Sequence, residues 1–208
     1  MVEPELNKFK NVIFLDHDGV LNCQLFYDEK FAHLKRQDVL PLVVEAIHPI
    51  EILYIKVVKK YLRKLLKEKK LTDLEYYKSE TCEKRIGLLN WLCKETNSAV
   101  VISASMRSSW SVEDLQKIFN YCGATFTIID KTPYTGYERG TEISKWLKDN
   151  CFQWFAVHYF DFHRYAIIDD DSDMLLKQQF NFFQCDKYSG LTPTIVENIK
   201  IFFTHKTF

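Results

Sequence analysis

The 208 residues carry 28 basic and 28 acidic side chains, a formal charge of zero. So balanced a chain has no broad electrostatic footprint for nucleic acid, although a local basic groove is compatible with it. No apolar run approaches the ~20 residues that cross a bilayer, and the polar, charged stretch Met1 to Lys10 is not a secretory signal. Hydrophobic residues make up 47% of the chain, which supports a sizeable core: one large domain over 1–208, or a compact core carrying an inserted module. Six cysteines, at 23, 82, 93, 122, 151 and 185, have neither a CxxC pair nor metal-ligand spacing. They are expected to be reduced, mostly buried thiols, in the cytosol of a cell or of a host.

In chain order, the first apolar run is Asn11–Asp16 (NVIFLD). Residues 22–80 follow as an insertion, containing Asp38–His48 and then Ile50–Lys70. In the latter, Tyr54, Val58, Tyr61, Leu62, Leu65 and Leu66 recur at helical spacing, opposite Lys56, Lys59, Lys60, Arg63, Lys64, Lys67 and Lys70. This reads as an amphipathic helix with a solvated charged face, set where it can cover whatever lies at the end of the first strand.

A helix is expected over Thr81–Thr96, then a strand over Ala99–Ser103 (AVVIS), a helix over Val112–Tyr121 and a strand over Thr125–Asp130 (TFTIID). The pattern ends with a helix over Thr141–Asn150 and strands over Tyr165–Asp169 (YAIID) and Asn181–Asp186 (NFFQCD). Short apolar runs alternating with helices predict an α/β fold, a doubly wound five-stranded parallel sheet buried on both faces. Ligands bind beyond the carboxyl ends of such strands. Four of the five runs end in Asp and the fifth in Ser, so the polar residues converge where a site belongs. Trp91, Trp146 and Trp154 are expected in the core, with Trp110 beside the cleft. His158 and His163 are expected at the opposite, strand-start end.

The first run continues as Asp16-His17-Asp18-Gly19-Val20-Leu21-Asn22. Two carboxylates two residues apart, followed by a Gly that permits a tight turn, can face one crevice. Neighbouring carboxylates repel unless a cation holds them. With Asp169, Asp170, Asp171 and Asp173 nearby, the donor set suits a hard, oxygen-preferring cation, above all Mg2+. An EF-hand reading of Asp169, Asp171 and Asp173 fails, since Met174 stands where Gly is required and Phe180 where Glu belongs. A lone DxDG also suits a surface turn, but not one joined to Ser-ended and Asp-ended strands in this order. His17 reads as a hydrogen-bonded core histidine.

These motifs resemble those of haloacid dehalogenase (HAD) superfamily phosphatases, over essentially the whole length apart from 22–80. The first motif is Asp16–Asn22, the second is Val100–Ser103, and the fourth is Ile167–Asp173. Ser103-Ala104-Ser105-Met106-Arg107, Arg139-Gly140-Thr141-Glu142-Ile143 with Trp146-Leu147, and Gly190-Leu191-Thr192 are similar to one branch. That branch contains the HAD domains of Swiss-army-knife RNA repair proteins and of polynucleotide kinase-phosphatases. The resemblance implies a Rossmannoid fold and phosphate removal, in which Asp16 is the nucleophile and Asp18 the general acid and base. It implies Mg2+ on the Asp16 carboxylate, the Asp18 carbonyl and an acid from Asp169 and Asp170, with Ser103 donating to the phosphoryl group. The third-motif cation is Arg139 by position and context, with Lys131 and Lys145 as other candidates, and Ser105 and Arg107 are candidate substrate contacts. The implied partner is a phosphorylated substrate, a nucleotide or nucleic-acid end. The alternatives are a small-metabolite or phosphoprotein phosphatase and, in another class, a non-catalytic HAD-fold binding module.

Overall fold

The apolar runs form one five-stranded parallel sheet, as the sequence pattern predicts, and its strand order is β3-β2-β1-β4-β5. The computed structural model describes residues 9–30, 50–155 and 164–204. The strands are β1 (Asn11–Leu15), β2 (Ser98–Ile102), β3 (Ile128–Lys131), β4 (Tyr165–Asp169) and β5 (Phe182–Gln184). The helices are α1 (Gln24–Lys30), α2 (Ile50–Lys67), α3 (Asp73–Glu80), α4 (Glu83–Thr96), α5 (Val112–Tyr121), α6 (Arg139–Phe155) and α7 (Pro193–Thr204).

Every residue of β1, β2 and β4 is buried, which is why these strands read as unbroken apolar runs. Successive side chains point to opposite faces. Ile13, Leu15, Val100, Ile102, Ala166 and Ile168 pack with Leu89 of α4, Leu115 of α5 and Ile199 of α7. Val12, Phe14, Val101 and Ile167 pack on the other face against Ile143 and Trp146 of α6.

The outer strands are shorter than predicted. β3 pairs with β2 alone and its register shifts between Val100 and Val101. Upstream, the Thr125 N–H is taken by the Asn90 side chain (2.7 Å), and Phe126 turns into the core. Beyond β5, Asp186 Oδ1 accepts the Tyr188 and Ser189 N–H groups (3.0 Å each), closing a turn where more strand was expected.

Helix limits shift for equally local reasons. The predicted Thr81–Thr96 helix starts only at Glu83, because Thr81 is extended (φ −117°, ψ 131°) and ends α3. α2 stops at Lys67 rather than Lys70: Lys69 turns left-handed (φ 55°), and the Lys69 and Lys70 N–H groups cap the Leu66 and Leu65 carbonyls. α6 starts two residues before Thr141 and runs on to Phe155.

The insertion contributes α1, α2 and α3, whose Phe26, Tyr27, Val58, Leu62 and Tyr76 cluster with Cys23 and Cys82. Asp38–His48, His158 and His163 lie outside the described residues, as do the side chains of Cys151 and Trp154. The other five cysteines are buried and free, as expected. Trp146 is buried as expected, but Trp91 is 39% exposed with Lys200 Nζ 4.7 Å above its ring. Its position on α4 turns it away from Leu89 and Leu92, which fill the sheet side of that helix.

Trp146 meets Phe14 edge-on (5.3 Å between centroids) and donates from Nε1 to Asp130 Oδ2 at 2.6 Å. Trp146→Ala should therefore cost roughly 3–5 kcal/mol in urea unfolding. Trp91→Ala should cost about 1 kcal/mol or less in the same measurement.

Candidate active site

The chain runs outward from β1 to β2 and β3, then returns to place β4 on the other side of β1. The crevice between β1 and β4 is thus the switch point of the sheet, where α/β folds bind ligands. Asp16 follows β1, and its N–H donates to the Ile168 carbonyl (3.0 Å), which sets it in register beside Asp169. Ser103 follows β2, with its N–H on the Leu15 carbonyl (2.9 Å). Three neighbouring strand ends therefore deliver Asp16, Ser103 and Asp169 to one place.

Asp170 completes the acidic group: Asp16, Asp169 and Asp170 each offer a carboxylate oxygen, all within 4.8 Å of one another. Gly19 makes this possible. It adopts φ +74°, and a Cβ there would overlap the Asp170 carboxylate. Burial, opposed by Arg139, pushes Asp16 up to about 6, while burial and the Asp16 charge push Asp169 up to about 7. Asp169 Oδ1 accepts the Asp171 N–H, but its buried Oδ2 has no hydrogen-bond partner. Hard oxygen donors, crowded, buried and short of positive charge, are what a divalent cation satisfies, so these residues fit one.

Of the three cationic candidates, Arg139 faces the acids. Its Nη1 lies 3.3 Å from Asp16 Oδ1 and its Nε lies 3.7 Å from Asp169 Oδ2. Lys131 instead donates to the Arg107 and Trp110 carbonyls (2.8 and 2.6 Å), and Lys145 pairs with Asp149. The rest of the acidic run has other partners. Asp173 accepts the Arg139 N–H (2.9 Å) at the start of α6, where a carboxylate complements the helix dipole. Asp171 pairs with Lys187 (2.8 Å).

Glu142, one turn into α6, pairs with Arg107 and accepts the Thr135 N–H at 2.7 Å. Arg107 is buried and also donates to the Ser103 and Ala104 carbonyls. Its guanidinium thus ties the loop after β2 to α6. Ser103 is fully buried, and its hydroxyl has no hydrogen-bond partner. Ser105 is exposed and opens the short helical turn Ser105–Ser108. Trp110 is half-buried, with Nε1 on the Tyr77 hydroxyl (3.0 Å).

Asp18 stands at the outer edge, its side chain 59% exposed. Its Oδ1 accepts from Asn22 Nδ2 and from Lys59 Nζ, both at 2.8 Å. Although partial burial pushes the carboxyl up, contacts with His17 and Lys59 hold it well below the usual carboxylate range. His17 is a buried, hydrogen-bonded histidine, with Nε2 2.9 Å from the Thr81 hydroxyl.

Lys59 is the residue that sequence reasoning missed. Expected on a solvated face, it is 19% exposed and turned toward Asp18. The helical period places it beside the buried Val58 and Leu62, at the border of the apolar stripe. Which border faces the site is decided by how α2 packs. Glu142 and Asn22 were visible only as motif letters, without their roles.

The family model of the HAD domain in Swiss Army Knife RNA repair proteins matches residues 12–196. The chain belongs to this family. No curated protein and no solved structure matches it significantly. The HAD match takes in β1 through the start of α7, and with it every site residue described above. Among the described residues, no helix is long and apolar enough to cross a membrane.

Because Asp16 and Asp169 titrate above their ordinary 3.8, their protonated forms stabilise the metal-free HAD fold below about pH 4. That contribution is lost as pH rises through about 6 and 7. In scanning calorimetry, adding Mg2+ to chelator-treated protein should raise Tm more at pH 8 than at pH 5. Asp169→Asn should raise the metal-free Tm at pH 8 and abolish the Mg2+ response. Gly19→Ala, which displaces Asp170, should weaken that response.

Proposed function

We propose that this HAD domain is a Mg2+-dependent phosphohydrolase that removes a phosphate through an aspartyl-phosphate on Asp16. The observation that carries this reading is the convergence of Asp16, Asp169 and Asp170 with Arg139 at the β1/β4 switch. It is supported by the buried, unpartnered hydroxyl of Ser103 beside them.

Asp16 attacks phosphorus in line, forming the Asp16–phosphorus bond as the bond to the leaving oxygen breaks. Asp18, held ionised by His17 and Lys59 in the free protein, gives that oxygen a proton that it takes up when the phosphorylated substrate binds. In the second step Asp18 takes a proton from water, which displaces Asp16 and frees inorganic phosphate. Arg139 and the Ser103 hydroxyl offset charge on the equatorial oxygens, the dominant need in phosphoryl transfer. Ser105 is assigned to the substrate at the exposed mouth. Arg107, its charge matched by Glu142, holds the Ser103 and Ala104 carbonyls and so fixes the loop that carries Ser103. The Asp16, Asp169 and Asp170 carboxylates and the Asp18 carbonyl would hold Mg2+, whose charge keeps the acids ionised and offsets that of the phosphate.

Membership in a family named for RNA repair proteins supports a phosphorylated nucleic-acid end as the substrate. Helices α1–α3, inserted directly after the first motif, are assigned the role of a cap over the entrance.

Phosphate release should be measured from 3′- and 5′-phosphorylated oligonucleotides, nucleotides, sugar phosphates and phosphopeptides. Turnover is expected with Mg2+ and lost with chelator, and is expected to be greatest on oligonucleotide ends. Asp16→Asn should lower kcat by at least about a thousandfold, and Arg139→Ala by about a hundredfold to a thousandfold. Turnover surviving in Asp16→Asn would remove the nucleophile assignment. No turnover of any substrate would favour a binding module.

A further inference from the structure

The contact between Lys59 and Asp18 bears on the proton-transferring carboxyl and joins the insertion to the site. Lys59 Nζ lies 2.8 Å from Asp18 Oδ1 and 5.8 Å from the centre of the Tyr27 ring. The lysine is held there by its neighbours on α2: Val58 is fully buried and Leu62 nearly so, in the cluster with Phe26, Tyr27 and Tyr76. On the far side, Asn22 Nδ2 fixes the same Asp18 oxygen at 2.8 Å, and the Gly19 N–H fixes Asn22 Oδ1 at 3.0 Å. The ammonium therefore sits at a defined position rather than on a solvated arm.

Arg139 and Lys59 reach the site from different elements, α6 and α2, and meet different carboxylates. Arg139 faces Asp16 and Asp169, where the transferring phosphoryl group would be. Lys59 touches Asp18, the residue assigned to the leaving oxygen. An ammonium has three donors, and its one hydrogen bond among the described residues, to Asp18, uses one. Glu80 and the Tyr27 ring also lie in its surroundings, and a remaining donor would serve a group attached to the leaving oxygen. A neutral leaving group gains little from this charge, whereas a leaving group that is itself anionic gains a charge-assisted hydrogen bond.

We propose that Lys59 is a specificity-determining residue that selects substrates whose leaving group carries a further phosphate, such as a nucleoside bisphosphate or a phosphorylated oligonucleotide end. This rests on the assignment of Asp18 to the leaving oxygen, and deepens it by placing the discrimination on the insertion.

The test compares nucleoside 3′,5′-bisphosphate with the 3′- and 5′-monophosphates, with Mg2+, in the unsubstituted protein, Lys59→Met and Lys59→Arg. The bisphosphate should exceed the better monophosphate in kcat/KM by about tenfold to a hundredfold. Lys59→Met should collapse that ratio toward one, mainly through KM, and Lys59→Arg should restore most of it. A ratio near one in the unsubstituted protein overturns the proposal. So does a ratio that survives Lys59→Met, including an equal loss on all substrates with a lower Tm, which marks a structural strut. Lys59→Gln replaces the methionine variant if that fails to fold. Titration calorimetry of the same ligands on Asp16→Asn, with and without Lys59→Met, separates the two levels. If nothing is turned over, the hydrolase reading falls. The Lys59 assignment then stands or falls on whether Lys59→Met weakens the bisphosphate more than the monophosphates.

Discussion

The pairing of β1 with β4 is the constraint on which the site depends. Parallel register sets Asp16 beside Asp169, both nearly inaccessible to water, where each charge raises the cost of the other. The surrounding residues answer that charge. Arg139 approaches from α6, Asp173 anchors the start of α6 so that Arg139 faces inward, and Lys187 pairs with the neighbouring acids. Gly140 belongs to the same arrangement: a Cβ there would stand 2.5 Å from the Leu175 N, so only glycine lets α6 lie this close to the loop after β4.

The loops are organised from behind by buried hydrogen bonds. Glu142 joins Arg107 to Thr135, and Gln178 donates to the Gly140 carbonyl while accepting the Leu175 N–H. The Leu191 N–H holds the Val20 carbonyl (2.9 Å), steadying the turn that carries Asp18. Such groups are costly to leave unpaired in the interior, so a satisfied network specifies one arrangement. Exceptions at the site are the buried Ser103 hydroxyl, Asp169 Oδ2, Arg107 Nε and Arg139 Nη1, and the first two lie where a ligand would satisfy them.

The insertion adds a second tier. The acids and Arg139 come from the sheet and α6, whereas Lys59 comes from a helix that packs mainly on its own small cluster. The strand-end residues and Lys59 thus belong to different packing units, so a change in the α1–α3 cluster can move Lys59 without disturbing the strand ends. This separation suits a HAD domain, in which one reaction core serves many substrates.

The sequence alone determined the sheet, the end of it that carries the site, and the acids available there. Strands buried on both faces must be apolar throughout, so a polar residue at the end of each is legible. The edge strands were overextended, because their limits depend on Asn90 and on the Asp186 turn, not on local apolarity. The tertiary structure alone decided which of Arg139, Lys131 and Lys145 faces the acids, since all three are spaced plausibly and only packing directs a side chain. It also decided that Arg107 is held by Glu142 and that Lys59 turns toward Asp18. A helical period says which residues share a face; it does not say what that face meets.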